Sequence, residues 1–473
     1  MRLFMFIVLA AAGPEMAACS KPNPVVCCTS PADCNSLGIM DTTSRPCTDG
    51  FVCIDHECAN APPVDAAPPA PPCTMDSDCP ASTPRCSTQN TCVECLTSTD
   101  CSGSTPVCDT STDTCHGCAA DADCSSDVCD LSSGSCVDEG NVLYASSNGP
   151  ASGSCGHTSP CSLAFAIQSA SPTRNTVRMI PGTYSTPPTV SAIHLTIDGT
   201  GSSLNIAVAD GSVEVTQGAS LTLIGLAITS GNGDGIRCEG SDYQNSLTVH
   251  GVTIDANGSA LLANPCAVTG DTSSFRTRNA NLPVILATPP VTMALSRSIF
   301  RGGDGVQALG GGSFVKIDDS LFLDQLGTEG AVLGGQFGGS GFGTLTVSFS
   351  TFVNSKIGCG TGTPACAGGN VAGVCIDNSI IVGATGGDAV AGTACDINYS
   401  VVMPQAGAVS GSNNKLNVDP MFQDQAGGNY TLKSTSAAID AADPNAIVPS
   451  LDLAGTPRPQ GARADMGAYE YKP

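Results

Sequence analysis

The sequence contains no tryptophan, and aromatic residues of all kinds make up only 4% of its 473 positions. A core built around large rings is therefore disfavoured, whereas thin coils of Val, Ile, Leu and Ala that bury one another by stacking suit the composition. Basic residues are also scarce, with 18 Lys and Arg against 42 Asp and Glu and a formal net charge of −24. The imbalance is uneven, since residues 19–140 alone carry 18 acidic and 3 basic side chains. Such a surface repels a nucleic-acid duplex or an anionic bilayer, so nucleic acid is not an expected partner. Acidity of this kind serves solubility before any dedicated site. After the first twenty residues no segment is long and apolar enough to span a membrane.

Glycine (54) and cysteine (27), by contrast, are plentiful. The chain opens with Arg2, an apolar run from Leu3 to Ala12 and small residues before a cysteine, the pattern of a signal peptide over residues 1–18. Its ending, Met16-Ala17-Ala18-Cys19, resembles the bacterial lipobox. That resemblance implies cleavage before Cys19 and acylation of its sulfur, and two or three acyl chains hold a protein firmly on a membrane. Ser20 fits sorting to the outer membrane or cell surface. The alternative is ordinary secretion.

The other 26 cysteines are an even number in an exported chain, which points to disulfides. Their spacing is regular from Cys73 onward: Cys73, Cys79, Cys86 and Cys92, then Cys95, Cys101, Cys108 and Cys115, then Cys118, Cys124, Cys129 and Cys136. These are three short repeats, with a divergent fourth copy between Cys27 and Cys58. Units this small cannot bury a sufficient core, so two bridges apiece replace one, and three pairings of four cysteines remain open. The joints Cys92-Val93-Glu94-Cys95 and Cys115-His116-Gly117-Cys118 look like zinc knuckles, but export and strict repetition favour disulfides. Acidic or polar triplets before each second cysteine, such as Asp76-Ser77-Asp78, offer weak calcium ligands without the glycine and glutamate of an EF-hand. The expected order is a lipidated N-terminus and divergent repeat over 19–58, an extended Pro/Ala linker over 59–72, and three repeats over 73–140. The array resembles cysteine-rich repeats of surface lipoproteins of myxobacteria, which implies a stalk at the cell surface.

From residue 141 onward the pattern changes to a repeated phrase. It runs Leu295-Ser296-Arg297-Ser298-Ile299-Phe300, Ile317-Asp318-Asp319-Ser320-Leu321-Phe322, Val347-Ser348-Phe349-Ser350-Thr351-Phe352, Ile376-Asp377-Asn378-Ser379-Ile380-Ile381 and Ile397-Asn398-Tyr399-Ser400-Val401-Val402. The fourth-slot serines are 22, 30, 29 and 21 residues apart, a β-solenoid period. Glycine versions precede them at Gly225 and Gly251. A strand from Val142, a staple between Cys155 and Cys161, a short helix and Pro181-Gly182-Thr183-Tyr184 resemble the entry cap of right-handed parallel β-helix proteins in the pectin-lyase-like superfamily. The expected fold is therefore all-β, a right-handed parallel β-helix over 141–473 behind a disulfide-rich stalk. Residues Pro265 to Pro290 read as an inserted loop, and neighbouring cysteines pair as Cys238 with Cys266, Cys359 with Cys366, and Cys375 with Cys395. The closing motifs, Asp419-Pro420-Met421-Phe422, Asn429-Tyr430-Thr431-Leu432, Pro457-Arg458 and Asp465-Met466-Gly467-Ala468-Tyr469-Glu470-Tyr471, resemble the C-terminal signature of the choice-of-anchor Q family of surface β-helices. Asp465 to Tyr469 reads as a strand that closes the last coil.

Catalysis has few candidates. Hydrolases of the superfamily pair aspartates beside Gly-His-Gly and Arg-x-Lys, and this chain offers only Asp318-Asp319 and His250-Gly251. In register, Asp319 occupies the slot held by Arg297, Phe349, Asn378 and Tyr399, which makes it a turn position. A calcium-dependent lyase would draw on Asp304, Lys316, Arg297 and Arg301, although Gly303-Asp304-Gly305 and Gly233-Asp234-Gly235 read as turns. His157, His194 and His250 assemble no triad. The leading expectation is a non-catalytic surface lipoprotein for adhesion or glycan contact, with no cofactor beyond weakly held Ca2+ and with membrane and polysaccharide as partners. The rivals are a surface polysaccharide lyase or glycoside hydrolase and a structural envelope component. An exterior groove that gathers two acids and a base would favour the enzyme.

Overall fold

The computed structural model describes residues 51–54, 57–60, 72–240, 245–310, 312–327, 330–335, 343–359, 373–384, 386–392 and 395–473. The signal peptide, Cys19, most of the divergent repeat and most of the Pro/Ala linker lie outside them. The chain divides into two compact units, residues 1–96 and 97–473.

In the first unit Cys73 pairs with Cys86 and Cys79 with Cys92. In the second, Cys101 pairs with Cys115, Cys118 with Cys129, and Cys124 with Cys136. Cys95 of the first unit and Cys108 of the second are also disulfide-bonded. In the first and third repeats, then, the first cysteine joins the third and the second joins the fourth. Each repeat is a single 3-10 turn followed by a tiny hairpin, such as Cys129–Asp130 paired with Ser135–Cys136. The acidic triplets have a local use. Asp78 Oδ2 accepts from the Thr74 and Met75 backbone N–H at 2.8 and 3.1 Å, and Asp123 Oδ2 accepts from Ala119 and Ala120 at 2.9 Å each. These backbone donors hold both carboxyls below the ordinary aspartate range.

The third repeat packs directly against the start of the solenoid. Its Val128 is buried with Val142 and Tyr144 of the first solenoid strand, and Tyr144 Oη donates to the Ser126 carbonyl at 2.9 Å. Arg178, in the next strand, pairs with Asp198 of its own sheet at 2.8 Å and with Asp121 of the repeat at 3.3 Å. The repeat thus covers apolar surface that an open first coil would expose. The entry cap has the expected parts: the strand Val142–Ala145, the Cys155–Cys161 bridge, and the helix Leu163–Gln168 with Ser162 Oγ accepting from Phe165 N–H.

Beyond it the chain winds as a parallel β-solenoid. Among the described residues three ladders of parallel strands run along it: eleven strands from Val142–Ala145 to Cys395–Asn398, eleven from Thr183–Tyr184 to Lys415–Leu416, and seven from Thr189–Ser191 to Val332–Gly335. We call them the first, second and third sheets. Each strand pairs in register with the one a coil away, Leu221 opposite Leu247 for example, so alternate side chains stack into continuous interior columns. Phenylalanine forms one such column, Phe275, Phe300, Phe322 and Phe352, with ring centroids 5.5, 4.7 and 4.3 Å apart. Four of the thirteen phenylalanines thus share one interior stack.

Two sequence expectations fail here. The segment Pro265 to Pro290 is no loop: it supplies a full coil through strands Cys266–Asp271, Ser274–Thr277 and Ile285–Ala287. Cys238 and Cys266 are bridged as expected, but Cys359 joins Cys395 and not Cys366. The reason is strand alternation. Cys395 lies opposite Val374 and faces the core, whereas Cys375, the next residue, faces the other way and is disulfide-bonded elsewhere.

The repeated serine holds the corner between the first and second sheets. Ser298, Ser320, Ser350, Ser379 and Ser400 are fully buried. Each Oγ donates to the carbonyl two residues back, at 2.7 to 2.9 Å. Each of the last four also accepts the backbone N–H of the serine one coil earlier, at 3.1 Å. The residue before each serine is left-handed, with φ between 44° and 53° at Arg297, Asp319, Phe349, Asn378 and Tyr399, where earlier coils use Gly225 and Gly251.

The last coil is finished by residues 405–417. Asn414 Oδ1 accepts from Ser400 N–H at 3.0 Å, taking the place of a further serine, and Asn417 does the same for Gln405 at 2.8 Å. The C-terminal segment from Asp419 therefore does not close the end, and Asp465 to Tyr469 is not a strand. It lies along the flank. Phe422, Leu432, Ala438, Ala441 and Met466 are buried against Leu321, Leu323, Val353, Ile380, Val382 and Val401, the outward residues of four successive second-sheet strands. Gly467 is required where this strap touches the coils, because a Cβ there would come within 2.8 Å of Ile380 and Thr351.

Replacing Ser350 by Ala leaves the Ser320 N–H buried without an acceptor. The expected loss is about 1–3 kcal/mol of stability in chemical denaturation, against under about 0.5 kcal/mol for Thr248→Ala on the outer face.

Candidate functional site

The outward residues of the first sheet form in-register rows. One row is Thr196, Thr222, Thr248 and Thr269, continued by Ala294, Lys316 and Thr346. Beside it run Ser220, Ser246, Ala267, Thr292 and Phe314. At the corner a third row reads His250, Asp271, Ser296, Asp318, Ser348, Asp377 and Asn398. The face is flat and hydroxyl-lined, with Phe314 standing 55% exposed among small neighbours.

The corner row gathers charge. His250 Nδ1 lies 2.6 Å from Asp271 Oδ1, and Arg297 Nη2 lies 2.5 Å from Asp271 Oδ2. Burial pushes the Asp271 carboxyl up, but His250 and Arg297 outweigh it and hold the group below the ordinary aspartate range. Two coils on, Lys316 pairs with Asp318 at 2.5 Å, and Ser348 Oγ also donates to Asp318. The exterior thus brings two acids together with His250, Arg297 and Lys316 along one edge, with each acid already paired. Asp271 was missed in the sequence because it lies in the stretch read as a loop. The available signal was its place two residues before Ser273, matching that of Asp318 before Ser320.

The remaining candidates are dispersed. Asp304 is 3% exposed in the turn beyond the second sheet, flanked by left-handed Gly303 and Gly305, and does not share a face with Lys316 or Arg297. Arg301 is exposed at the end of a second-sheet strand. Asp234 is likewise a turn residue, accepting from Ser259 N–H at 2.8 Å and pairing with Arg237. His157 stacks on Tyr144 and pairs with Asp127, and His194 begins a first-sheet strand.

Asp319 holds the turn position but is more than a turn residue. It is buried and pairs with Arg458 Nε of the strap at 3.1 Å. Arg458 also meets Glu470 at 3.0 Å, donates to the Asp465 and Gly467 carbonyls, and sits over the Phe349 ring. Asp318 and Asp319 therefore point to different tasks, one on the outer face and one in the strap contact, and do not form a catalytic pair. A cavity of about 240 Å³ within the strap is lined by Gln423, Thr431, Asp452, Tyr469, Glu470 and Lys472. Its two acids are occupied by backbone donors, Asp452 by Thr456 and Glu470, and Glu470 by Gln460 and Asp465. Among the described residues, the groups of three convergent metal-ligand atoms are all built from disulfide-bonded cysteines, whose sulfurs are already spent.

The architecture can now be set beside known structures. It matches the crystal structure of pectate lyase Pel9A with a TM-score of 0.50 at 13% identity, over 70% of this chain and 96% of that one. The two share a fold. At that identity the likeness concerns the β-helix alone. No protein-family model and no curated protein matches the chain. The many disulfides are those of an exported protein, and no described helix is long and apolar enough to cross a membrane.

Burial pushes the Asp319 carboxyl up to about 7, with Arg458 opposing and Asp318 and Asp452 adding to it, and burial likewise raises Asp465 to about 6. Both lie above the unfolded value of about 3.9, so the docked strap binds more protons than the free one. Its stability is full below about pH 4 and declines as pH rises through 6 to 7. Hydrogen-exchange protection around Met466, corrected for intrinsic rates, is expected to be greater at pH 5 than at pH 8, and Asp319→Asn should narrow the difference.

Proposed function

We propose that this protein is an exported lipoprotein, anchored through Cys19, that displays its β-helix for non-catalytic contact with polysaccharide at the cell surface. The supporting observation is the first sheet's outer face. Rows of Thr and Ser recur at the strand spacing of about 4.8 Å, a rise that lets an extended polymer meet the same hydroxyl pattern coil after coil. Phe314 adds an apolar platform of the kind on which a sugar ring stacks. The choice-of-anchor Q resemblance of the strap motifs supports the same location. Lipid-precursor labelling that disappears in Cys19→Ala tests the anchor. Phe314→Ala is expected to weaken binding to a neutral or acidic polysaccharide about tenfold in affinity electrophoresis. Wild-type protein that binds none of them contradicts the reading.

One observation favours a second reading, a polysaccharide lyase or hydrolase. Asp271 orients His250, whose ring is about half exposed, in the way an acid–base histidine is held. Unsaturated products or new reducing ends from wild-type protein, lost in His250→Ala, would establish it over the display role.

A further inference from the structure

The distribution of arginine carries a further inference. In a chain of net charge −24 with 18 basic residues, Arg276, Arg278, Arg297, Arg301 and Lys316 occur within three successive coils. Arg276 and Arg301 are directly opposite each other on adjacent second-sheet strands, both on the outer face and both exposed. Like charges in that relation destabilise a sheet.

Their compensation is incomplete. Asp255, one coil before Arg276 in the same row, is shared by Arg276 at 3.6 Å and Arg278 at 2.9 Å. Arg301 has no ion pair among the described residues, and the row continues with Leu323. Asp324, on the following coil, accepts instead from Asn354 at 2.9 Å. Three guanidinium groups therefore face one carboxylate. The same face offers the hydroxyls of Thr229, Thr253 and Ser274, and the strap borders it, with Ile299 and Tyr430 both packed against the apolar cluster that holds the strap.

We infer that the outer face of the second sheet around Arg276 and Arg301 binds the anionic groups of a carboxylated or sulfated polysaccharide. Guanidinium groups match such oxyanions with paired N–H donors, and the two arginines are one strand spacing apart, about 4.8 Å, so an anion between them relieves their repulsion. The acidity of the chain does not oppose this strongly, because residues 19–140 hold 18 of the 42 acidic side chains and 3 of the 18 basic ones. The inference rests on the polysaccharide-contact reading and adds the charge of the ligand and a second face to it.

The test is binding of the full chain to dextran, dextran sulfate and alginate across a salt series, with Arg276→Gln, Arg301→Gln and Phe314→Ala variants. Wild type is expected to bind the anionic polymers more tightly than dextran. Each arginine change should weaken that binding about tenfold and flatten its salt dependence, with dextran binding unaltered. Lowering the pH to 3 should release alginate and leave dextran sulfate, which separates the carboxylate from the sulfate source. Dextran bound as tightly as the charged polymers, or Arg301→Gln without effect, overturns the inference while the polysaccharide reading stands. No binding to any of the three overturns both. A change in self-association in place of glycan affinity would show that the face meets another copy of the chain, which also overturns it.

Discussion

The buried serine at the corner between the first and second sheets is the contact on which the solenoid depends. A chain turning that sharply places a left-handed residue at the bend and leaves the next backbone N–H pointing along the axis, away from its own coil. In the later coils that N–H finds its acceptor in the serine hydroxyl of the following coil, so each turn is satisfied only once its successor has formed. This is nearest-neighbour cooperativity in its chemical form. It also explains the end of the series, where the side-chain carbonyl oxygen of Asn414 takes the place of the hydroxyl that a further serine would have given.

The left-handed residue before each serine carries strain of about 1–2 kcal/mol when it is not glycine. The early coils avoid it with Gly225 and Gly251. The later ones accept it, and several of their side chains hold the strap: Asp319 pairs with Arg458, Phe349 packs with Ala442 and Ala464, and Asn378 Oδ1 accepts from Asp443 N–H. In Asp319, Phe349 and Asn378 the turn slot thus has a second use, in contact with the strap. Asp319 belongs to this set, which is why a residue in a repeated turn is also among the most buried acids of the molecule.

The coil period, the entry cap and the turn slots were legible because each is a local pattern repeated many times. The coil from Cys266 to Ala287 was not, since Gly270 takes an interior position that the neighbouring coils fill with Val249 and Leu295, and few large apolar residues, Val268, Phe275 and Ile285 among them, mark its core face. Bridging Cys359 to Cys395 depends on which face each strand residue takes, and sequence proximity carries no such information. The position of the strap along the flank was not legible either. An ion pair between Asp319 and Arg458 joins residues far apart in the chain, and no spacing announces it. For the site, His250 and Arg297 were visible, while the acid that joins them lay in the segment read as a loop.

The strap also sets a limit on how this chain can change its length. A solenoid ordinarily tolerates gain or loss of a whole coil, because the new one repeats the contacts of the old. Between Asp319 and Val401 that freedom is lost, since Arg458, Asp443 and Gly467 meet particular coils at fixed intervals along one continuous segment. Ahead of Thr272 no such tie exists among the described residues. Relatives of different length should therefore differ in the number of coils between the entry cap and the strap, and agree in the number beneath it.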